Sequence, residues 1–185
     1  MPGKRLTMLT IEHLTADQAV VALDDLVELL QDTVASGAAV GFLPPLSAGA
    51  AREYWEGVIA DVGHGTRVLL AARDGGTVIG SAQLELASKP NGRHRAEVQK
   101  FMVHTRARGQ GIGRRMLEAL EDAARAAERT LLVLDTRQGD VAEGLYARHG
   151  YIRAGAIPQY ARSADGTLHT TVLFYRLLEQ IHTEG

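Results

Sequence analysis

Apolar residues along this chain follow two patterns, one typical of β-strands and one typical of α-helices. Apolar and polar residues alternate in segments such as 77–86, which predicts half-buried strands, and short continuous apolar runs such as 130–134 predict fully buried ones. The predicted strands cover residues 6–14, 66–72, 77–86, 96–103, 130–134, 151–156 and 169–177.

Helical spacing of apolar residues separates these strands. Thr15 or Asp17 is suited to cap a first helix, and Ser47 a second. Glycine and proline break the chain in the loop 37–45, and Asp74-Gly75-Gly76 predicts a tight hairpin turn. The predicted helices cover residues 15–36, 47–62, 111–127 and 140–148. Strands and helices mix along the whole chain without a linker or repeat, so we predict one α/β domain over residues 1–185.

Composition narrows the classes of function. The 185 residues are 45% hydrophobic and 23% charged, with a formal net charge of −2, which is ordinary for a globular protein. This charge gives no general attraction to nucleic acid or membranes, no apolar run could span a bilayer, and the first residues lack the apolar stretch of a signal peptide. We therefore expect a cytoplasmic protein that binds neither nucleic acid nor membrane.

Cysteine is absent, which excludes disulfides, thiolate metal ligands and a cysteine nucleophile. The seven histidines show no metal-ligand spacing, and we expect no metal.

The segment 98–113 (VQKFMVHTRARGQGIG) joins an apolar strand to a basic, glycine-rich loop and a helix start. Glycines let the backbone approach a ligand closely, and the first N–H groups of a helix have no partner within it. Such a loop binds anions, so we predict a diphosphate site; a glycine-rich turn that only starts a helix is the alternative. The spacing is neither that of a P-loop nor that of the dinucleotide fingerprint.

Within this segment, Arg108-x-x-Gly111-x-Gly113 resembles the pyrophosphate loop of the GNAT acyl-CoA N-acetyltransferases. Residues 142–151 (AEGLYARHGY) resemble the second signature of that family, although Gly139-Asp140 stands where an asparagine is usual. The resemblance extends over residues 6–177. It implies the GNAT fold, in which a mixed, mostly antiparallel central sheet of about seven strands is flanked by about four helices.

The resemblance also implies acetyl-CoA as cosubstrate and a set of residues that bind it. Main-chain groups of the strand 96–103 would hold its pantetheine arm, and those of the glycine-rich loop would hold its pyrophosphate. Members of the family often form dimers, so a homodimer is also possible. The donor-binding residues implied in this way are Met102, Val103, Arg108, Gly109, Gln110, Gly111, Ile112 and Gly113.

Three side chains are candidates for the chemistry of acetyl transfer to an amine. Tyr146 resembles the family's general acid, which protonates the departing sulfur; a tyrosine packed in the core is the alternative. Glu97 and Asp135 would flank the acceptor if their strands are neighbours, and either could take the amine proton or bind the ammonium. A surface ion pair for Glu97 and a turn cap for Asp135 are the alternatives. Direct attack in a ternary complex fits the absence of cysteine.

Period-two geometry predicts that Gln99, Phe101 and Val103 share the face of Glu97. Phe42 is a candidate acceptor-pocket residue. Arg93, His94 and Arg95 are candidates for gripping a substrate carboxylate, with a solvated loop as the alternative.

A closer similarity exists to the tabtoxin-resistance acetyltransferases. It implies a small amine-bearing acceptor, such as an amino-acid-like or β-lactam antimetabolite, and a role in antibiotic resistance. An enzyme that acetylates protein N-termini or lysines, and a non-catalytic acyl-CoA sensor, are the rival functions. The similarity lies in Gly41-Phe42, Ser81-Ala82-Gln83-Leu84, Lys89-Pro90-Asn91-Gly92, the segment 95–100 and Leu134-Asp135-Thr136.

Overall fold

A computed structural model describes residues 8–179, and in that part of the chain seven strands form one mixed sheet. The strand order is β1-β2-β3-β4-β5-β7-β6, and every neighbouring pair is antiparallel except β4 and β5. The predicted mixed, mostly antiparallel sheet is therefore confirmed. The strands are β1 (Leu9–His13), β2 (Arg67–Asp74), β3 (Thr77–Leu86), β4 (Arg95–Val103), β5 (Leu131–Arg137), β6 (Ile152–Arg162) and β7 (Leu168–Leu177).

Five α-helices occur in the described residues, one more than the sequence predicted, because the helix predicted over 15–36 is two helices. Ala22, with φ −87° and ψ 2°, ends the first and precedes the second. Thr15 caps the first helix in a capping box with Gln18, and the Ser47 hydroxyl caps the third by accepting from the Ala50 N–H. The helices are α1 (Ala16–Val21), α2 (Leu23–Ala35), α3 (Ala48–Gly63), α4 (Ile112–Ala126) and α5 (Val141–Arg148). No helix among residues 8–179 has both the length and the apolarity needed to cross a bilayer.

The two faces of the sheet carry separate apolar cores. On one face α4 and α5 cover the sheet, and residues such as Met116, Leu120 and Phe174 fill the core. On the other face α1, α2 and α3 pack around Trp55, and the main sheet contacts of α2 and α3 are with β2, β3 and β4. The part of this second face formed by β5 and β7 therefore lies beyond the helices that cover the first strands.

Strands β4 and β5 separate soon after they begin to pair. Their parallel ladder joins Arg95, Ala96 and Glu97 to Leu131, Leu132 and Val133, and then β4 continues beside β3 while β5 continues beside β7. From Val98 onward the edge of β4 that faces β5 has no strand beside it. The sheet thus opens into a cleft whose walls carry free main-chain groups.

Strand β4 also contains a bulge at Lys100, which overturns one prediction. Gln99 pairs with Gln83 and Met102 pairs with Ser81, so β4 carries one residue more than β3, and Lys100 takes φ 47°. The extra residue reverses the alternation of side chains. Phe101 and Val103 therefore pack into the α4 core, and Met102, not Phe101, shares the face of Glu97.

Candidate functional site

A cavity of about 820 Å³ opens where β4 and β5 separate. The loop that follows α2 lines one side of it, and the β6–β7 turn lines the other. Predicted site residues from four parts of the chain meet in this cavity: Phe42, Glu97, Asp135 and Tyr146.

The two predicted carboxylates are exposed in the cavity and each accepts a hydrogen bond. Gln99 Nε2 donates to Glu97 Oε1 at 3.4 Å, and Gln99 Oε1 accepts from Arg67 Nη1 at 2.9 Å. Thr171 Oγ1 lies 2.8 Å from Asp135 Oδ2 and donates to it. Glu97 forms no ion pair among the described residues, and Asp135 lies within β5 and does not cap a turn.

Tyr146 lines the cavity although the residue is only 4% exposed. The ring packs against Phe101, Tyr151 and Phe174 at centroid distances of 6.0, 5.6 and 6.1 Å. Among residues 8–179 its hydroxyl has no hydrogen-bonding partner, although the side chain reaches the cavity. Burial, and then the negative charge of Asp135, raise the pKa of Tyr146 well above its ordinary value, so the phenol keeps its proton.

The glycine-rich loop offers a row of unused donors. Within the described chain, none of the N–H groups from Gly109 to Arg114 donates to a protein acceptor; the first such bond is from Arg115 to the Gly111 carbonyl. Gly111 precedes α4 with φ 76°, a backbone conformation that glycine adopts without strain. The partial positive charge of the helix start adds to these donors. The arrangement is suited to a diphosphate.

Ile112 and Gly113, at the end of this loop, also contribute to packing of the protein interior. The side chain of Ile112 is 1% exposed and lies in the α4 core, so only its main chain is available. A Cβ built on Gly113 would lie 3.3 Å from Leu145 Cδ2, so this glycine also permits close packing of α4 on α5. Gln110 is half-buried between Gly109 and Gly111.

Arg108 turns its side chain back onto the protein. Its Nε donates to the Val103 carbonyl at 3.1 Å and its Nη2 donates to Ser36 Oγ at 3.0 Å. The guanidinium thus fastens the loop to the end of β4 and to the end of α2.

The main chain of β4 presents alternate residues to the open cleft. The His104 N–H donates to the Ile79 carbonyl of β3, and the Met102 carbonyl lies 3.1 Å from a Cβ built on Gly80 of β3. Met102 therefore turns its main-chain groups toward β3, while Phe101 and Val103 turn theirs toward the cleft. Sequence reasoning chose Met102 and Val103 and missed Phe101, because the register against β3 could not be known.

Lys100 is a cavity residue that sequence reasoning also missed. Its Nζ lies 5.8 Å from the ring centroid of Phe42 and 5.4 Å from that of Tyr54, and those two rings meet edge to face at 5.3 Å. The sequence did not predict that Lys100 lines the cavity, because its orientation depends on the bulge. In contrast, Arg93, His94 and Arg95 do not line the cavity and are exposed.

The family model for the acetyltransferase (GNAT) family matches residues 29–151 of this chain. The chain belongs to the GNAT family of acetyltransferases. It is an acetyl-CoA-dependent N-acetyltransferase, as the sequence predicted.

Other known proteins agree with this assignment. An uncharacterized N-acetyltransferase in the hisH–hisA intergenic region of Azospirillum brasilense is 33% identical over 118 residues, which cover 63% of this chain and 68% of that protein. An N-acetyltransferase from Staphylococcus aureus Mu50 shares the fold with a TM-score of 0.78 at 18% identity, covering 94% of this chain and all of that one. The yncA protein of Salmonella typhimurium, whose structure contains its cofactor acetyl-CoA, has a TM-score of 0.75 at 19% identity, covering 97% of this chain and 99% of that one. These comparisons confirm the predicted fold.

Proposed function

We propose that this N-acetyltransferase transfers the acetyl group of acetyl-CoA to the amine of a small molecule, by direct attack in a ternary complex. The observation that carries the proposal is the cavity, in which the loop after α2 lines one side and the two carboxylates and Tyr146 lie together. A loop over the acceptor side favours a small acceptor, because a protein substrate needs an open groove. The similarity to tabtoxin-resistance enzymes favours an amino-acid-like or β-lactam antimetabolite and a role in resistance.

In this proposal acetyl-CoA lies along the cleft between β4 and β5. The free N–H groups from Gly109 to Arg114 bind its pyrophosphate, and the main chain of Phe101 and the Val103 N–H bind the pantetheine arm. An extended chain can add to the open edge of β4 much as a strand would. The thioester would then lie in the cavity that Tyr146 lines.

Acetyl transfer in this site needs one base and one acid. The neutral amine attacks the thioester carbonyl, a C–N bond forms and the C–S bond breaks, and the amine proton passes to a carboxylate directly or through water. We assign that role to Asp135, since its charge acts on Tyr146, and we assign Glu97 to binding of the acceptor ammonium. Tyr146 donates its proton, or a hydrogen bond, to the departing sulfur.

An acceptor screen tests this function. The protein is incubated with acetyl-CoA and a panel of amino acids, β-lactam analogues, polyamines and aminoglycosides, and free thiol and acetylated product are measured together. We expect thiol release that depends on at least one small amine. Acetylation of peptides alone would replace this proposal with protein acetylation. Binding of acetyl-CoA without release of thiol in any mixture would make the protein an acyl-CoA sensor.

A further inference from the structure

Lys100 is held in the cavity by an unusual backbone and by two aromatic rings. Its φ of 47° is uncommon for a residue with a side chain and costs about 1 kcal/mol or more. The bulge brings the ammonium over Phe42 and Tyr54, and a Cβ built on Gly41 would lie only 3.5 Å from Nζ. The local fold thus fixes a cation at the acceptor side of the cavity.

This ammonium forms no salt bridge and no hydrogen bond in the described part of the chain, and Asp135 and Glu97 act on it only from a distance. An ammonium has three N–H donors, and here the described contacts are cation–π interactions with two aromatic rings, which use none of these donors in a conventional hydrogen bond. Burial, and then the positive charge of Arg67, lower the pKa of Lys100, while the charges of Asp135 and Glu97 oppose that shift. A partly buried cation with unused donors is stabilised by an anion that enters the cavity.

The cavity carries charges of both signs, as a zwitterionic acceptor requires. Glu97, Lys100 and Asp135 all line it beside Tyr146, and both carboxylates act electrostatically on Lys100. An acceptor amine beside Asp135 would face the thioester, and the rest of the acceptor would extend toward Lys100 and the loop.

We propose that Lys100 binds a carboxylate of the acceptor, so that the substrate class is an amino acid or an analogue that keeps a free carboxylate near the acetylated amine. This inference rests on the proposed function and makes it more specific. Lys100 determines specificity here and takes no part in bond making or breaking.

The test compares L-amino acids with their carboxamides, which keep the amine and lose the negative charge. For each pair, kcat and KM are measured by thiol release with saturating acetyl-CoA. We expect the wild-type enzyme to prefer the free acids, and Lys100→Met to reduce the acid-to-amide ratio of kcat/KM by about tenfold to a hundredfold, mainly through KM. Lys100→Arg retains the charge and should retain part of the preference.

Two controls separate recognition from folding. Lys89→Met removes an exposed lysine that does not line the cavity, and it should leave the acid-to-amide ratio unchanged. Calorimetry of acetyl-CoA with Lys100→Met reports whether the donor site is intact.

Each other outcome overturns the inference. Equal use of acids and amides by the wild type, or a ratio that survives Lys100→Met, contradicts the role of Lys100 and leaves small-amine acetylation standing. An equal loss of kcat for acids and amides with the ratio intact assigns Lys100 a structural role. Failure of every small amine to release thiol refutes both this inference and the proposed function.

Discussion

Replacement of Tyr146 by phenylalanine separates its chemical role from its packing role. The ring is 4% exposed and contacts three other aromatic rings, all of which phenylalanine preserves. Its hydroxyl bonds to no described protein group, so no hydrogen bond is lost, and the free energy of unfolding should change by less than about 0.5 kcal/mol. Loss of a positioned proton donor, in contrast, lowers kcat by about 10²- to 10⁴-fold. We expect unchanged stability and acetyl-CoA affinity with a large loss of turnover.

Tyr151→Phe is the matched control for this substitution. Tyr151 is also 4% exposed and its ring lies 5.6 Å from that of Tyr146, but it does not line the cavity. Steady-state kinetics and thermal unfolding of both variants would be measured side by side. A kcat within about threefold of wild type for Tyr146→Phe would refute its role as the acid.

The pH dependence of turnover gives a second check on Tyr146. Burial and the charge of Asp135 raise its pKa above the ordinary value of 10.0, which means that the phenol is protonated throughout the range below that pH. Wild-type kcat should therefore show no decline caused by ionisation of Tyr146 as the pH rises to 10.0. A tyrosine-dependent loss of rate near pH 8, absent from Tyr146→Phe, would contradict the buried, protonated acid.

Three further substitutions test the donor loop, the base and the packing beneath α4. Gly111→Val forces a branched side chain to φ 76° and crowds the free N–H groups, so we expect the KM for acetyl-CoA to rise about tenfold or more. Gly65→Val is the control, because it carries similar backbone strain at φ 71° outside the loop and should leave that KM unchanged. Asp135→Asn should lower kcat at least about 100-fold, and a variant with wild-type turnover across the pH range would exclude Asp135 as the base. Gly80→Ala places a Cβ 2.8 Å from Met116 Sδ, and we expect the free energy of unfolding to fall by about 1–3 kcal/mol. Denaturant unfolding measures this change. An unchanged midpoint of unfolding would mean that Met116 moves aside without an energetic cost.

Local signals in the sequence predicted most of the elements. Ser47 begins a helix because its hydroxyl satisfies a free N–H group, and Gly75 begins a turn at φ 59°, so both follow from neighbouring residues alone. The break at Ala22 was not predicted, because the apolar residues Val20, Leu23 and Val27 continue at helical spacing across it. In the structure Val20 is 57% exposed, so it does not belong to the buried side of these helices. Strand β6 continues to Arg162, past its predicted end at residue 156, because pairing with β7 supports residues that have no apolar pattern.

The candidate site could be predicted only in part. Its motifs gave the glycine loop, Tyr146 and the two carboxylates, since each is local to a strand end or a helix. Lys100 and Phe101 could not be assigned, because their orientation depends on how β4 aligns with β3, and that register is set by contacts across the sheet.

The bulge at Lys100 has a consequence for how this strand tolerates change. The bulge divides β4 into two parts: before it the side chains of Glu97 and Gln99 line the cavity, and after it the main chains of Phe101 and Val103 face the cleft between β4 and β5. Deleting Lys100 would remove the bulge, and every later side chain of β4 would then point to the opposite face of the sheet. The number of residues in this strand is therefore as strict a requirement as their identity. A related chain with the same arrangement must keep the extra residue, even where its side chain differs.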